Sequence, residues 1–189
     1  MTPSGSKLVW PAHEYLPGYV AALERGWSPN TLRPEAATEE LQAIREDPTA
    51  FLATLVDREG RGPLIKLPDG SRVTPLPGYR KWIWDGEFCG SIGLRWSPGT
   101  SSLPAHCPGH IGYAVVPWKQ RRGHATEALR QLLTEAKALG LDHVVLTTDP
   151  ANEPSQRVVL RNGGVLVGRY PKPEQHGRGD ELRFRIDLL

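Results

Sequence analysis

Apolar residues in the first third of the chain recur at the spacing of amphipathic helices. The stretch PAHEYLPGYVAALERG predicts a first helix, and Pro34, followed by several acidic residues, is typical of the start of a second. The apolar positions after Pro48 predict a short third helix that continues through Val56. Residues 1–60 are therefore predicted to be mainly helical.

The second half of the chain alternates strand-like and helix-like patterns. Residues 80–96 alternate apolar and polar positions around Asp85-Gly86, which predicts a β-hairpin with its turn at that dipeptide. The segment HIGYAVV predicts a strand that ends at Pro117, and the amphipathic run after it predicts a helix that ends near Gly140. The remaining patterns predict, in order, a strand (HVVLTTD), a helix (NEPSQRVVLRNGG), a strand (VLVGRY) and a strand (ELRFRIDLL). This order is typical of an α/β fold with a mixed sheet.

Composition narrows the class of protein. A chain of 189 residues suits one domain, and a net charge of +2 argues against general nucleic-acid binding. No apolar stretch is long enough to span a membrane and the N-terminus does not resemble a signal peptide, so a cytoplasmic protein is expected. Cys89 and Cys107 are expected to be free thiols there.

The turn QRRGHA, residues 120–125, separates the strand HIGYAVV from the long helix. The first N–H groups of a helix lack intrahelical partners and, with the helix dipole, favour an anion. Gly123 has no Cβ, so a phosphate can approach the backbone closely, and Arg121 and Arg122 add positive charge. The turn is therefore a candidate phosphate or pyrophosphate site. In the alternative, the arginines are a solvated helix start and Gly123 only permits the turn.

Two motifs together give this turn a more specific interpretation. The chain lacks both the nucleoside-triphosphate loop pattern and the G-x-G-x-x-G pattern of dinucleotide folds. Gln120, Gly123 and Ala125 instead resemble the acyl-CoA-binding motif of the GNAT superfamily of N-acetyltransferases. Asn152 and Ser155, at the start of a later helix that ends in glycine, resemble the second segment of that family. The two segments together look like a bacterial group of predicted acetyltransferases.

The resemblance implies a fold and a donor. It implies a mixed, mostly antiparallel central sheet flanked by helices, with a helical N-terminal extension, in a single domain of residues 1–189. Residues 80–189 would form the acyl-CoA-binding core. The donor would be acetyl-CoA, held at the turn by its pyrophosphate and along the preceding strand by its pantetheine arm. The residues expected to bind it are Val115, Val116, Gln120, Arg121, Arg122, Gly123, His124, Ala125, Thr126, Asn152 and Ser155.

Transfer of an acetyl group to an amine needs a base, an oxyanion donor and an acid for the departing thiolate. His110 is the first candidate for the base, because it begins the strand that would carry the acyl group; alternatively it is a structural histidine. Glu87 is a second candidate for the base; alternatively, it is only an exposed residue of the hairpin turn. Asp149 could also serve, although capping the next helix is an equal alternative. A backbone N–H near Val116 is the expected oxyanion donor.

The acid is the weakest point of the resemblance. Many members of the family carry a tyrosine seven residues after the motif asparagine, a position that is Val159 here. Ser155 is the first alternative acid, directly or through water, unless it only caps or packs the start of its helix, and Tyr113 is a second alternative. Proton transfer to solvent is a further alternative.

The partners follow from the same resemblance. The expected acceptor is an amine of a small molecule or peptide, acetylated directly in a ternary complex. No nucleic acid or membrane is expected to take part. No metal is expected either, because the segment HCPGH offers too few ligands for zinc. Acceptor specificity is expected from residues 1–60, 85–109 and 171–180, and Trp82, Trp84 and Trp96 are candidate walls of the acceptor site. The alternative function is a catalytically weak or inactive CoA-binding module that serves regulation or interaction. A homodimer is favoured because dimers are common in the family.

Overall fold

The computed structural model describes residues 5–31, 33–67, 69–172 and 179–188. Within these residues the helices are α1 (Leu16–Glu24), α2 (Ala36–Glu46), α3 (Pro48–Thr54), α4 (His124–Ala138) and α5 (Glu153–Arg161). The strands are β1 (Lys7–Val9), β2 (Val56–Asp57), β3 (Ile65–Lys66), β4 (Arg72–Val73), β5 (Gly78–Trp84), β6 (Phe88–Arg95), β7 (Ile111–Val115), β8 (His143–Thr148), β9 (Val165–Pro171) and β10 (Asp180–Asp187).

The strands form two main sheets. The first has the order β1-β5-β6-β7, with β2 also paired to β5, and the second has the order β8-β10-β9. The strand pairs in both sheets are antiparallel, and β3 pairs with β4 in a small separate ribbon. The predicted mixed α/β fold with a mostly antiparallel sheet and flanking helices is confirmed.

The first sheet separates two apolar cores because its side chains alternate between faces. Ile83 of β5 lies among Leu129 and Leu132 of α4 on one face. Trp82, the preceding residue, lies on the other face against Tyr19 of α1, with ring centroids 4.7 Å apart. The predicted β5–β6 hairpin thus supplies both cores from adjacent positions.

The N-terminal region holds the three predicted helices and also two strands that its hydrophobic pattern did not predict. Lys7–Val9 pairs with β5 at one edge of the sheet, although only Val9 of this strand is buried. Val56, expected to continue the third helix, instead begins β2 and pairs with Tyr79. Strands of two or three residues give too short an alternation to detect, and here the pairing with β5 decides the conformation.

The two sheets meet next to His110 and then part. The His110 N–H donates to the Val145 carbonyl at 2.7 Å, and the Val145 N–H donates to His110 Nδ1 at 2.9 Å. Gly109 is needed here, since a Cβ at this position would lie 2.8 Å from the Val145 oxygen. After this contact β7 pairs with β6, and no strand among the described residues pairs with its other edge.

Candidate active site

The free edge of β7 presents the backbone groups of alternate residues. The His110 carbonyl accepts from the Arg95 N–H, and the Val116 N–H donates to the Cys89 carbonyl, both at 2.9 Å toward β6. Because an antiparallel strand alternates the direction of its backbone groups, Tyr113 and Val115 direct theirs to the free edge. The ligand contact predicted at Val115 stays a prediction, whereas the one predicted at Val116 is corrected. The Val116 N–H is already bonded to β6, so the N–H groups that face the free edge here are those of Tyr113 and Val115.

The QRRGHA turn joins this edge to α4. The Gln120 side chain donates to the Val115 carbonyl at 3.2 Å and holds the turn against the end of the strand. Gly123 is the N-cap of α4 with φ of 86°, in the left-handed region that favours glycine. No side chain within the described part of the chain caps this helix end, so the first-turn N–H groups at Ala125 and Thr126 depend on solvent or a ligand.

His124 departs from its predicted role. Its side chain is buried and its Nε2 lies 3.5 Å from Asp85 Oδ2, in the turn between β5 and β6. It therefore points into the protein, and only its backbone N–H can face a ligand of the turn. Burial lowers the pKa of His124 below its ordinary value, although the Asp85 carboxylate opposes this effect. Arg121 and Arg122 are exposed, as expected for residues that contact a soluble anion.

A compact polar cluster lies beneath this turn. Ligand atoms of Asp85, Cys89 and His124 lie within 4.8 Å of one another. However, Lys119 Nζ already donates to both Asp85 oxygens, at 3.0 and 3.1 Å. Its ammonium charge would repel a metal cation, so we interpret the cluster as a fixed link between the hairpin turn and α4.

The start of α5 faces the free edge of β7. Asn152 caps α5, with its Oδ1 accepting from the Ser155 N–H at 3.2 Å. The Tyr113 hydroxyl crosses from β7 and donates to the Ser155 carbonyl at 3.3 Å. Asp149 does not cap α5, whose cap is Asn152; its carboxylate instead accepts from the Ala151 N–H in the turn before that helix and from Lys172 Nζ. Asn152, Ser155 and Tyr113 thus lie together across the opening between the sheets.

His110 is placed at the joint of the two sheets rather than in an accessible site. It is fully buried, and burial lowers its pKa to about 4, with neighbouring His143 acting in the same direction. Its Nδ1 accepts from Val145, so the side chain is held neutral by the fold. The structural role that was the alternative explains this geometry, and the assignment of His110 as general base is corrected.

Glu87 is separated from His110 by the length of β7, since Cys89 pairs at one end of that strand and Arg95 at the other. Its side chain is 77% exposed and forms a 2.9 Å salt bridge with Lys119. Glu87, Trp84 and Trp118 line a surface groove with a cavity volume of about 280 Å³. The three predicted catalytic residues therefore do not form one centre.

The candidate tryptophans divide between core and surface. Trp82 is fully buried, so it cannot line an acceptor site as predicted. Trp96 packs edge-on against Tyr79, with centroids 6.0 Å apart. Of the three, Trp84 is the one on the groove. Part of the 171–180 segment, residues 173–178, lies outside the described residues.

On the sheet face that packs against the N-terminal helices, two paired glycines leave a strip of β6 and β7 without side chains. Gly93 of β6 pairs with Arg80 on one side and with Gly112 of β7 on the other, so all three share a face. Arg80 Nη1 donates to Glu40 at 2.9 Å and to the Tyr19 hydroxyl at 3.2 Å. Sequence analysis missed this glycine strip; the signal was a glycine inside each of two adjacent predicted strands.

Comparison with known proteins identifies the family. The family model described as an acetyltransferase (GNAT) domain matches residues 19–165. The chain therefore belongs to the GNAT family of acetyltransferases, and the prediction of a GNAT-type N-acetyltransferase is confirmed. No curated protein sequence matches it significantly.

Solved structures share the fold at low sequence identity. The microcin C7 self-immunity acetyltransferase MccE, in complex with acetyl-CoA and AMP, is 16% identical over 98% of this chain and 97% of its own, with a TM-score of 0.64. The ribosomal L7/L12 α-N-protein acetyltransferase RimL, in complex with coenzyme A, is 13% identical over 100% and 97%, with a TM-score of 0.62. Spermidine N-acetyltransferase from Vibrio cholerae, with CoA and spermine, is 13% identical over 98% and 96%, with a TM-score of 0.62. The first of these structures contains acetyl-CoA, and the other two contain coenzyme A.

The joint at His110 predicts a specific stability defect. His110→Ala removes a buried ring and leaves the Val145 N–H without its acceptor, so we expect the free energy of unfolding at pH 7 to fall by about 2–4 kcal/mol. Denaturant unfolding measures this loss. The exposed His13 provides the matched control, and His13→Ala is expected to change the free energy of unfolding by less than about 0.5 kcal/mol.

The same residue predicts a pH dependence. The pKa of His110 is lower in the folded state, about 4, than its ordinary value of 6.5, so the unfolded chain takes up the proton first. Its stabilising contribution is therefore complete above pH 6.5 and is lost as the pH falls toward 4. His110→Asn keeps an acceptor but cannot be protonated, so its stability should fall less over this range. Equal losses in His110→Asn and in the parent protein would contradict this account.

Proposed function

We propose that this protein transfers an acetyl group from acetyl-CoA to an amine of a small molecule or peptide, directly in a ternary complex. The observation that carries the proposal is the free edge of β7, which leads into the glycine-capped start of α4 and faces the start of α5. This arrangement offers backbone donors to an extended amide-containing arm and then to an anion.

The donor would bind mainly through backbone atoms. In this proposal the N–H groups from Arg121 to Thr126 hold the pyrophosphate, and Val115 bonds the pantetheine arm as an added strand would. The Asn152 amide group and the Ser155 backbone would flank the arm from α5. Gln120 positions the turn through its bond to Val115. The Tyr113 N–H would stabilise the oxyanion, since it points to the free edge.

The acceptor would approach from the opposite face. The glycine strip at Gly93 and Gly112 leaves room for an amine to reach the free edge of β7, with the Glu40–Arg80 pair beside it. A protonated amine must lose its proton before attack, and a carboxylate beside this strip suits that task better than buried His110. RimL and spermidine N-acetyltransferase, which share the fold, act on a protein α-amine and on a polyamine, which supports an amine acceptor here.

One observation favours a second function, a catalytically weak or inactive CoA-binding module. Many family members carry a tyrosine that acts as the acid at the position of Val159. Here Val159 is 1% exposed and lies in the core. A module of this kind would bind acetyl-CoA at the same turn but would not transfer the acetyl group.

The cellular setting is part of the proposal. We place the protein in the cytoplasm, and among the described residues no helix is both long and apolar enough to cross a membrane. We also propose a homodimer. It is supported by the exposed apolar side chains of β9, an edge strand of the second sheet, whose Val165, Leu166 and Val167 are 68%, 51% and 51% exposed.

An acceptor screen separates the two functions. Free CoA is followed while acetyl-CoA is mixed with a panel of polyamines, amino acids, aminoacyl nucleotides and short peptides that differ in their N-terminal residue. An acetyltransferase gives amine-dependent CoA release with the acetylated product seen by mass spectrometry. Binding of acetyl-CoA by calorimetry, without release for any acceptor, supports the inactive module.

A pair of glycine variants tests the pyrophosphate assignment. Gly123 and Gly140 lie at the two ends of α4 with nearly equal φ, 86° and 83°, so a side chain causes similar backbone strain at each. We expect Gly123→Glu to weaken acetyl-CoA binding by at least about tenfold, because it adds bulk and negative charge beside the phosphate. Gly140→Glu should leave the Kd unchanged in the same calorimetric titration. Equal affinities in the two variants would rule out the turn as the pyrophosphate site.

A further inference from the structure

The structure offers no tyrosine on α5 as an acid for the departing thiolate, because Val159 occupies the position of the family's tyrosine. Val159 packs so closely that a Cβ on Gly164 would lie 2.4 Å from its Cγ1. A tyrosine in place of Val159 would therefore have to displace the core rather than face the opening between the sheets. A tyrosine that acts as the acid must therefore come from another element.

Tyr113 is the side chain that spans this opening. It belongs to β7, packs against the core on the α4 face, and carries its hydroxyl to the Ser155 carbonyl, 3.3 Å away at the start of α5. On one side of the opening β7 therefore supplies the ring, and on the other side α5 fixes the hydroxyl.

The backbone of the same residue faces the reaction path. Because the His110 carbonyl and the Val116 N–H both bond toward β6, the Tyr113 N–H points to the free edge. The hydroxyl of the same residue lies across this opening at the Ser155 carbonyl. Backbone and side chain of Tyr113 therefore both border the opening in which the proposed thioester would lie.

The hydroxyl is also in the right protonation state for an acid. Burial raises the pKa of Tyr113 above its ordinary value of 10.0, although Ser155 opposes this effect. The phenol is therefore protonated at neutral pH, and the Ser155 carbonyl orients its O–H bond. A hydroxyl that already donates to a carbonyl can redirect that donation to a stronger acceptor such as a thiolate.

We propose that the Tyr113 hydroxyl is the catalytic acid that protonates the CoA thiolate. This inference rests on the proposed acetyl transfer. The neutral amine attacks the acetyl carbon, the C–N bond forms and the C–S bond breaks, with the electron pair going to sulfur. The phenol proton passes to that sulfur and gives free CoA thiol. The proton lost by the amine reaches water, and water returns one to the phenolate, so no further reactant is needed.

Tyr113→Phe tests this role because it removes the hydroxyl and keeps the ring. With an acceptor from the screen, we expect the single-turnover rate of acetyl transfer to fall by about 10²-fold or more. The Kd for acetyl-CoA should stay within about twofold of the parent value, and the melting temperature should be nearly unchanged. Tyr170→Phe, on the partly exposed β9 edge, is the matched control and should transfer at the parent rate.

The outcomes separate this inference from the proposed function. A parent protein that binds acetyl-CoA but acetylates no acceptor contradicts the proposed function itself. An active parent with an equally fast Tyr113→Phe variant overturns the acid assignment alone. A Tyr113→Phe variant whose slower rate is matched by an equal loss of acetyl-CoA affinity or by a lowered melting temperature also overturns it, because the hydroxyl would then serve binding or folding.

Discussion

The exchange of two hydrogen bonds between His110 and Val145 is the contact on which the rest of the structure depends. It joins the two sheets at one end of β7, and along the rest of that strand no strand of the described residues pairs with its outer edge. A buried imidazole suits this position because it adds an acceptor where a backbone carbonyl is not available. The cost is that its protonated form is disfavoured, which removes it from acid–base chemistry.

A site made of backbone atoms follows from that opening. The free edge of β7, the uncapped start of α4 and the N-terminus of α5 supply hydrogen-bond groups whose positions are fixed by the fold. The side chains around them have supporting tasks. Gln120 fixes the turn, and Lys119 ties the β5–β6 hairpin, through Asp85, to the segment just before the QRRGHA turn. In our proposal this preorganisation contributes more to donor binding than the charges of the two exposed arginines.

Local patterns were sufficient to predict the long elements and the glycine-capped turn before α4. The β5–β6 hairpin, α4 and the cap at Gly123 each have a strong signal within a few residues, and the structure forms them as expected. The roles of His110 and Val116 could not be obtained in this way, because they depend on which neighbour takes each hydrogen bond. The Tyr113–Ser155 contact joins residues 42 positions apart, and only the packing of α5 against β7 creates it.

The central claim is that β7 presents Tyr113 and Val115, and not Val116, to the acetyl donor. Residue-resolved amide hydrogen exchange, measured by NMR with and without saturating acetyl-CoA, tests it directly. The account predicts that the Tyr113 and Val115 amides exchange at least about tenfold more slowly in the complex, whereas the Val116 amide, already bonded to Cys89, does not change. Unchanged exchange at Tyr113 and Val115, with new protection on another strand, would contradict it.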